Sequence, residues 1–180
     1  LNSIKVFFII LFGLFGQNVY AQSDAPLTSI PSLDVQKYLG RWYEISKFPN
    51  SFQKKCVAKT SAEYELNTDG SLRVLNQCQL ADGEMNQAIG QAKQIGDSHS
   101  AKLEVRFAPI WLSFLPFVWG DYWVIDLDEN YQLAAVSEPS KKYLWVLSRT
   151  PVVDEAKYSA LLKRLTAMGL DVSRLEKSPQ

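Results

Sequence analysis

The chain has 180 residues, 47% of them hydrophobic and 12% aromatic, enough for one domain with one substantial core plus a removable segment. Nineteen basic residues balance nineteen acidic ones, which excludes the basic field that nucleic-acid binding requires. A charged fraction of 21% with this much apolar content also excludes wholesale disorder.

Residues 1–21 stand apart. Lys5 is their only charge, and residues 6–15 form a nearly unbroken apolar run. That run is shorter than the roughly 20 residues a membrane-spanning helix needs. Gln17-Asn18-Val19-Tyr20-Ala21 follows, polar and ending in a small residue, so a signal peptide cleaved after Ala21 is expected; the alternative is an uncleaved anchor. No cysteine lies near Ala21, so lipid attachment to a new N-terminal cysteine is not expected, and the product should be soluble in the periplasm or secreted. Residues 22–32 are polar with Pro26 and Pro31 and predict a flexible leader to a single domain over residues 33–180.

Short strands with turn signals between them then follow, the pattern of a sandwich or barrel. The first covers residues 41–48 and stops at Pro49-Asn50. The second covers 57–66 and ends at Asn67-Thr68-Asp69-Gly70, a strong hairpin signal because Asn and Gly tolerate positive φ. The third covers 71–80, with Leu72, Val74 and Asn76 on one face, and Ala81-Asp82-Gly83 turns the chain again. Residues 85–95 give a weaker, polar strand, and residues 96–100 a loop. Leu103-Glu104-Val105-Arg106-Phe107 alternates apolar and charged, so one face is buried and the other wet. Residues 109–119 hold two prolines and no charge, which argues against a central strand or a long helix. Strand character resumes over 121–127, 131–136 and 143–148, making about eight strands in all.

The period then changes. Val153, Ala156, Ala160, Leu161 and Leu165 fall at helical spacings, Asp154 and Glu155 suit an N-terminus, Lys163 and Arg164 a C-terminus, and Gly169 closes the run. Eight meandering strands and one amphipathic helix predict an all-β, eight-stranded antiparallel up-and-down barrel with the helix outside, a closure that removes exposed sheet edges.

Cys56 and Cys78 are the only cysteines. An even count in an exported chain favours a disulfide, with two buried thiols as the alternative. Two cysteines and one histidine cannot complete a zinc site without carboxylates, and neither a metal nor a cofactor is expected. His99 lies in Asp97-Ser98-His99-Ser100, a loop of turn composition that predicts a solvent-exposed side chain; a triad with a serine and an aspartate is the alternative. No phosphate-cradling glycine loop is visible, and no catalytic residue is assigned. Asp126 shares the parity of Tyr122 and Val124, and reads as a structural partner for a strand or loop donor, or else as a ligand anchor.

Three motifs in order carry a resemblance. They are Tyr38-Leu39-Gly40-Arg41-Trp42-Tyr43-Glu44-Ile45, then the Asp128 turn after Tyr122-Trp123-Val124-Ile125-Asp126-Leu127, and Trp145-Val146-Leu147-Ser148-Arg149-Thr150-Pro151. With Val74-Leu75-Asn76-Gln77 and Lys102-Leu103-Glu104-Val105, they resemble the lipocalin family, in its bacterial lipocalin and apolipoprotein D branch, from about residue 33 to about residue 174. One departure is that the family's common Thr-Asp-Tyr reads Leu127-Asp128-Glu129 here.

The resemblance implies that Trp42, after Gly40, plugs the closed end of the barrel with Arg149 lying across it, a structural cation–π pair worth roughly 1–2 kcal/mol. If Arg149 points inward, strand alternation turns Trp145 and Tyr143 inward as well. By similarity Tyr64, Asn76, Phe107, Tyr122 and Val124 also face the cavity. The seven together form the expected ligand-binding set, or else simply fill a solid core. Trp111, Phe114, Phe117 and Trp119 are placed at the open mouth, where they form a rim that touches lipid or a membrane surface, or fold over as a cap. The implied function is binding and carriage of a small hydrophobic or amphipathic ligand, a fatty acid or lysophospholipid, for lipid transport, storage or membrane maintenance. The rivals are an enzyme built on the same barrel and an envelope interaction protein with a filled barrel.

Overall fold

The computed structural model describes residues 25–109 and 112–180. The expected signal peptide, the first three residues of the leader, and Trp111 lie outside the described residues.

The alternating stretches form β1 (Gly40–Lys47), β2 (Cys56–Leu66), β3 (Leu72–Leu80), β4 (Met85–Gln94), β5 (Lys102–Arg106), β6 (Gly120–Leu127), β7 (Leu133–Ser137) and β8 (Leu144–Ser148). Each pairs antiparallel with the next, and β8 returns to β1, which also pairs with β2. The eight strands therefore close into a barrel of up-and-down topology. Four of the seven connections between them lie at one end and three at the other. The end holding the start of β1 is closed by α1 (Val35–Tyr38), whose cap Asp34 accepts the N–H groups of Gln36 and Lys37.

Alternation sorts the side chains into two apolar clusters. Trp42, Tyr64, Leu72, Val74, Leu103, Val124, Ala134, Val136 and Leu147 point inward. Ile125, Ala135, Leu144 and Val146 point outward and meet α2 (Glu155–Ala167) through Tyr158, Leu161 and Leu165. The helix starts at Asp154, whose carboxylate accepts the Lys157 N–H. It ends before Gly169, at φ +81°, the left-handed conformation that glycine adopts without penalty.

Three findings go beyond the sequence reading. From Ala25 onward the expected flexible leader is laid on the barrel: Leu27 is buried beside the helix cluster, and the Ile30 N–H donates to Val124 O. Next, β1 carries a bulge between Glu44 and Ser46, leaves β2, and pairs there with β9 (Glu176–Lys177). The residues after β9 bridge the gap this opens: Ser178 N donates to Ile45 O, and Lys59 N donates to Pro179 O. The third concerns Asp126. A register shift between Val124 and Asp126 turns that carboxylate out of the barrel, where Arg164 of α2 holds it by two hydrogen bonds of 2.7 and 2.8 Å. It is a structural clamp between sheet and helix rather than a ligand anchor, and it does not share the inward parity of Tyr122.

Candidate ligand site: floor, wall and mouth of the barrel

The floor is built on Trp42, which is fully buried. Its indole N–H donates to Tyr38 O at 2.9 Å, and the two rings pack at a tilt of 31° with centroids 4.8 Å apart. The Arg149 guanidinium lies 4.0 Å from the Trp42 ring centroid and donates to the carbonyls of Tyr131, Arg41 and Lys37. One cation thus closes three chain segments over one aromatic plane. Gly40 permits this approach: its φ is +88°, and a Cβ there would sit 3.4 Å from Arg149 Nη1. Asp128, in the second motif, accepts the N–H groups of Gln132 and Leu133 and fixes the β6–β7 turn at the same end.

Above Trp42 sits a cluster the sequence reading found only in part. Tyr38, Tyr64 and Tyr122 meet at their hydroxyls, with Tyr122 Oη 2.9 Å from Tyr38 Oη and 2.7 Å from Tyr64 Oη. Burial pushes the Tyr64 phenol up to about 12 and those of Tyr38 and Tyr122 well above the usual tyrosine range, so all three are neutral at physiological pH. Val124 is fully buried beside them.

Higher on the wall the interior opens. Tyr122, Tyr143 and Trp145 are half-buried, Asn76 is exposed, and Phe107 keeps 43% of its surface accessible. Tyr143 stacks on Trp145 at 5.8 Å, and both rings contact Phe52 of the β1–β2 loop. Phe107 lies across Gly90, where a Cβ would come within 2.7 Å of its ring. Of the seven residues expected to face the cavity, Tyr64 and Val124 are therefore packed into the floor region, and the other five keep accessible surface above it.

Sequence reasoning missed a polar chain near the mouth. Glu44 is buried and accepts from Gln53 Nε2 at 2.6 Å and from the Ser178 hydroxyl, with Lys47 Nζ 3.6 Å away. Gln53 in turn accepts from the Trp145 indole N–H at 3.1 Å. A charged residue in the middle of an apolar strand was the available signal. Its partners lie 9 and 134 residues away, so the pattern alone could not supply them.

The mouth segment divides. Trp119 folds back onto the outer wall, its indole N–H bonded to Ser113 O, with Lys93 and Arg106 at 4.3 and 5.1 Å from its ring. Phe114 and Phe117 stay 77% and 80% exposed. His99 is exposed on the loop at the opposite end. Cys56 and Cys78 form a disulfide between β2 and β3.

Comparison with known proteins agrees with this construction. A family model described as a lipocalin-like domain matches residues 33–180. Temperature-induced lipocalin-1 of Arabidopsis thaliana is 43% identical over 153 residues, 84% of this chain and 81% of that protein. The outer membrane lipoprotein Blc of Citrobacter freundii is 38% identical over 83% of this chain and 80% of its own length. Apolipoprotein D of Mus musculus is 36% identical over 99% and 95%. Among solved structures, insecticyanin from the tobacco hornworm Manduca sexta superposes with a TM-score of 0.65 at 18% identity, covering 86% of this chain and 84% of that one. That last likeness concerns the fold alone.

Proposed function

The chain belongs to the lipocalin-like family, and on that premise we propose that it binds a fatty acid or lysophospholipid in the upper part of the barrel and carries it without chemical change. The observation that carries this reading is the vertical gradient in accessibility. Inward-facing Asn76, Phe107, Tyr122, Tyr143 and Trp145 keep accessible surface, while Trp42, Tyr38 and Val124 below them are at most 1% exposed. An apolar wall with a few polar groups above a sealed floor suits an amphipathic guest. Each methylene buried there contributes about 0.8 kcal/mol, so a long acyl chain supplies its own driving force.

Exposed Phe114 and Phe117 support a role for the mouth in touching a membrane surface while lipid is taken up or released. The disulfide supports a site of action outside the cytoplasm, periplasmic or secreted, because such bonds persist in oxidising compartments. Lipid transport, storage or membrane maintenance is the setting that follows.

Native mass spectrometry of the protein purified from its own host, followed by solvent extraction and lipid identification, tests the proposal. A stoichiometric lipid supports it and names the ligand class. No bound lipid, together with no change in tryptophan fluorescence on adding fatty acids or lysophospholipids, overturns it.

A further inference from the structure

Three phenols meet where the packed floor gives way to the open wall. Each tyrosine hydroxyl has one proton to donate. Tyr38, Tyr64 and Tyr122 together have three, and the two hydrogen bonds among them use two. One O–H is left over in every arrangement of the protons. Among the described residues, no further oxygen accepts from any of the three hydroxyls.

Position says where the surplus donor points. Tyr38 and Tyr64 are 1% and 4% exposed, whereas Tyr122 is half-buried, on the inward face one alternation above Val124. When Tyr122 accepts from both neighbours, their protons are satisfied and its own is free, on the most accessible member of the cluster. The field there favours an electron-rich partner. Arg149 lies beneath Trp42 and, among the described residues, is bonded to carbonyls and to no carboxylate. A donor left unmatched in such surroundings is costly, and a bond to an ionised acceptor is stronger than one to a neutral acceptor.

We infer that Tyr122 is the donor by which the barrel reads its ligand. An amphipathic molecule binds with an acceptor oxygen, that of a carboxylate above all, on the Tyr122 hydroxyl, and its chain runs up past Phe107, Tyr143 and Trp145 to the mouth. This rests on the carrier reading and adds to it an orientation, polar end inward, and the chemistry of that end. It favours a slim fatty acid over a lipid whose large headgroup cannot reach the floor.

The test uses palmitate labelled with carbon-13 at its carboxyl, and diphenylhexatriene, a hydrocarbon with no acceptor. In the unmodified protein the carboxyl resonance of bound palmitate should be shielded from broadening by a soluble gadolinium chelate. Tyr122→Phe should weaken palmitate about tenfold and leave diphenylhexatriene within about twofold. Tyr64→Phe keeps one surplus hydroxyl, because two phenols then share one bond, and should keep palmitate within about threefold. The shielding measurement needs no variant, so a Tyr122→Phe protein that fails to fold leaves the inference open to refutation. Palmitate bound with its carboxyl open to the chelate, or an equal loss of both ligands in Tyr122→Phe, overturns the inward orientation and leaves the carrier reading standing. Failure of the unmodified protein to bind either ligand overturns both.

Discussion

At the closed end of the barrel Trp42 is fully buried, Tyr38 is 1% exposed, and both are tied by hydrogen bonds and ring contacts to one another and to Arg149. At the open end Phe114 and Phe117 keep 77% and 80% of their surface, and Phe107 keeps 43%. Both ends use large aromatic residues, but only the floor gives them partners on every side. Aromatic content alone therefore does not distinguish a plug from a binding surface; the number of groups that converge on each ring does. Removing a ring from each end is the sharpest way to break this comparison. Trp42→Ala should cost about 3–5 kcal/mol in urea unfolding, the range for truncating a well-packed aromatic. Trp145→Ala, higher on the wall and half-buried, should cost less than half as much. Equal losses would mean that the upper barrel is packed as tightly as the floor.

The disulfide tests whether the open end needs covalent help. Cys56 and Cys78 close a loop with a sequence separation of 22, and both lie in the half of the β2–β3 pair nearer the mouth. Replacing both by alanine should lower stability by about 3 kcal/mol, if the loss follows the loop-entropy relation. The floor should survive it: near-ultraviolet circular dichroism from Trp42 and the tyrosine cluster should persist below the new midpoint. Collapse of both signals together would show one cooperative unit with no independent floor.

Alkaline pH probes the floor by itself. Burial holds the Tyr64 phenol at about 12 and those of Tyr38 and Tyr122 well above 10 in the folded protein. Unfolded tyrosine titrates near 10. The folded state binds the protons more tightly, so the contribution is complete below pH 10 and is lost as pH rises through 10 to 12 and beyond. Urea midpoints should fall steeply across that window. The fall should be shallower in Tyr64→Phe, and absorbance at 295 nm should show the Tyr38, Tyr64 and Tyr122 phenols ionising only on unfolding. Three early-ionising phenols would mean that water reaches the cluster.

How far the sequence discloses this molecule follows the same division. Strand alternation and turn residues place all eight barrel strands to within a residue or two; β7 and β8, buried on both faces under α2, are placed by the turns that bound them. Gly40, Trp42 and Arg149 are legible from motifs that lie at strand ends. Tyr38 ends the single turn of α1, four residues before Trp42 of β1, and the chain reversal at Leu39-Gly40 brings the two rings together. It escapes notice because a turn this short has no amphipathic pattern. Asp126 is misplaced by parity because one bulge reverses every face beyond it, and a bulge has no fixed sequence mark. The bonds from Ser178 and Gln180 back to Glu44 depend on contacts across more than 130 residues, which periodicity cannot reach.

Gly90 marks the border between floor and mouth. A Cβ there would meet Arg106 O at 2.6 Å and the Phe107 ring at 2.7 Å, and the first of these is backbone that cannot swing aside. Gly90→Ala should therefore destabilise by about 1–3 kcal/mol, as overpacking does. It should also push Phe107 away from the wall, which a changed rate of fatty-acid uptake in stopped-flow fluorescence would register. Unchanged stability and uptake would show that β5 shifts freely at this point.

The smallest effect on stability should come from Phe114→Ser combined with Phe117→Ser, and here the smallness is itself informative. Side chains this exposed make few contacts to lose, so the unfolding free energy should change by less than about 0.5 kcal/mol. Association with phospholipid vesicles, read by flotation, should nonetheless fall, because two rings no longer insert among the lipid headgroups. Trp119 provides the internal control. It belongs to the same segment but is held against the outer wall by Lys93, Arg106 and Ser113 O, so Trp119→Ser should cost stability. The two substitutions should therefore separate what their shared segment does: a vesicle defect with intact stability for the phenylalanines, and a stability defect for the tryptophan. If the double phenylalanine variant instead binds vesicles normally and unfolds early, those rings serve the barrel and the mouth is a cap.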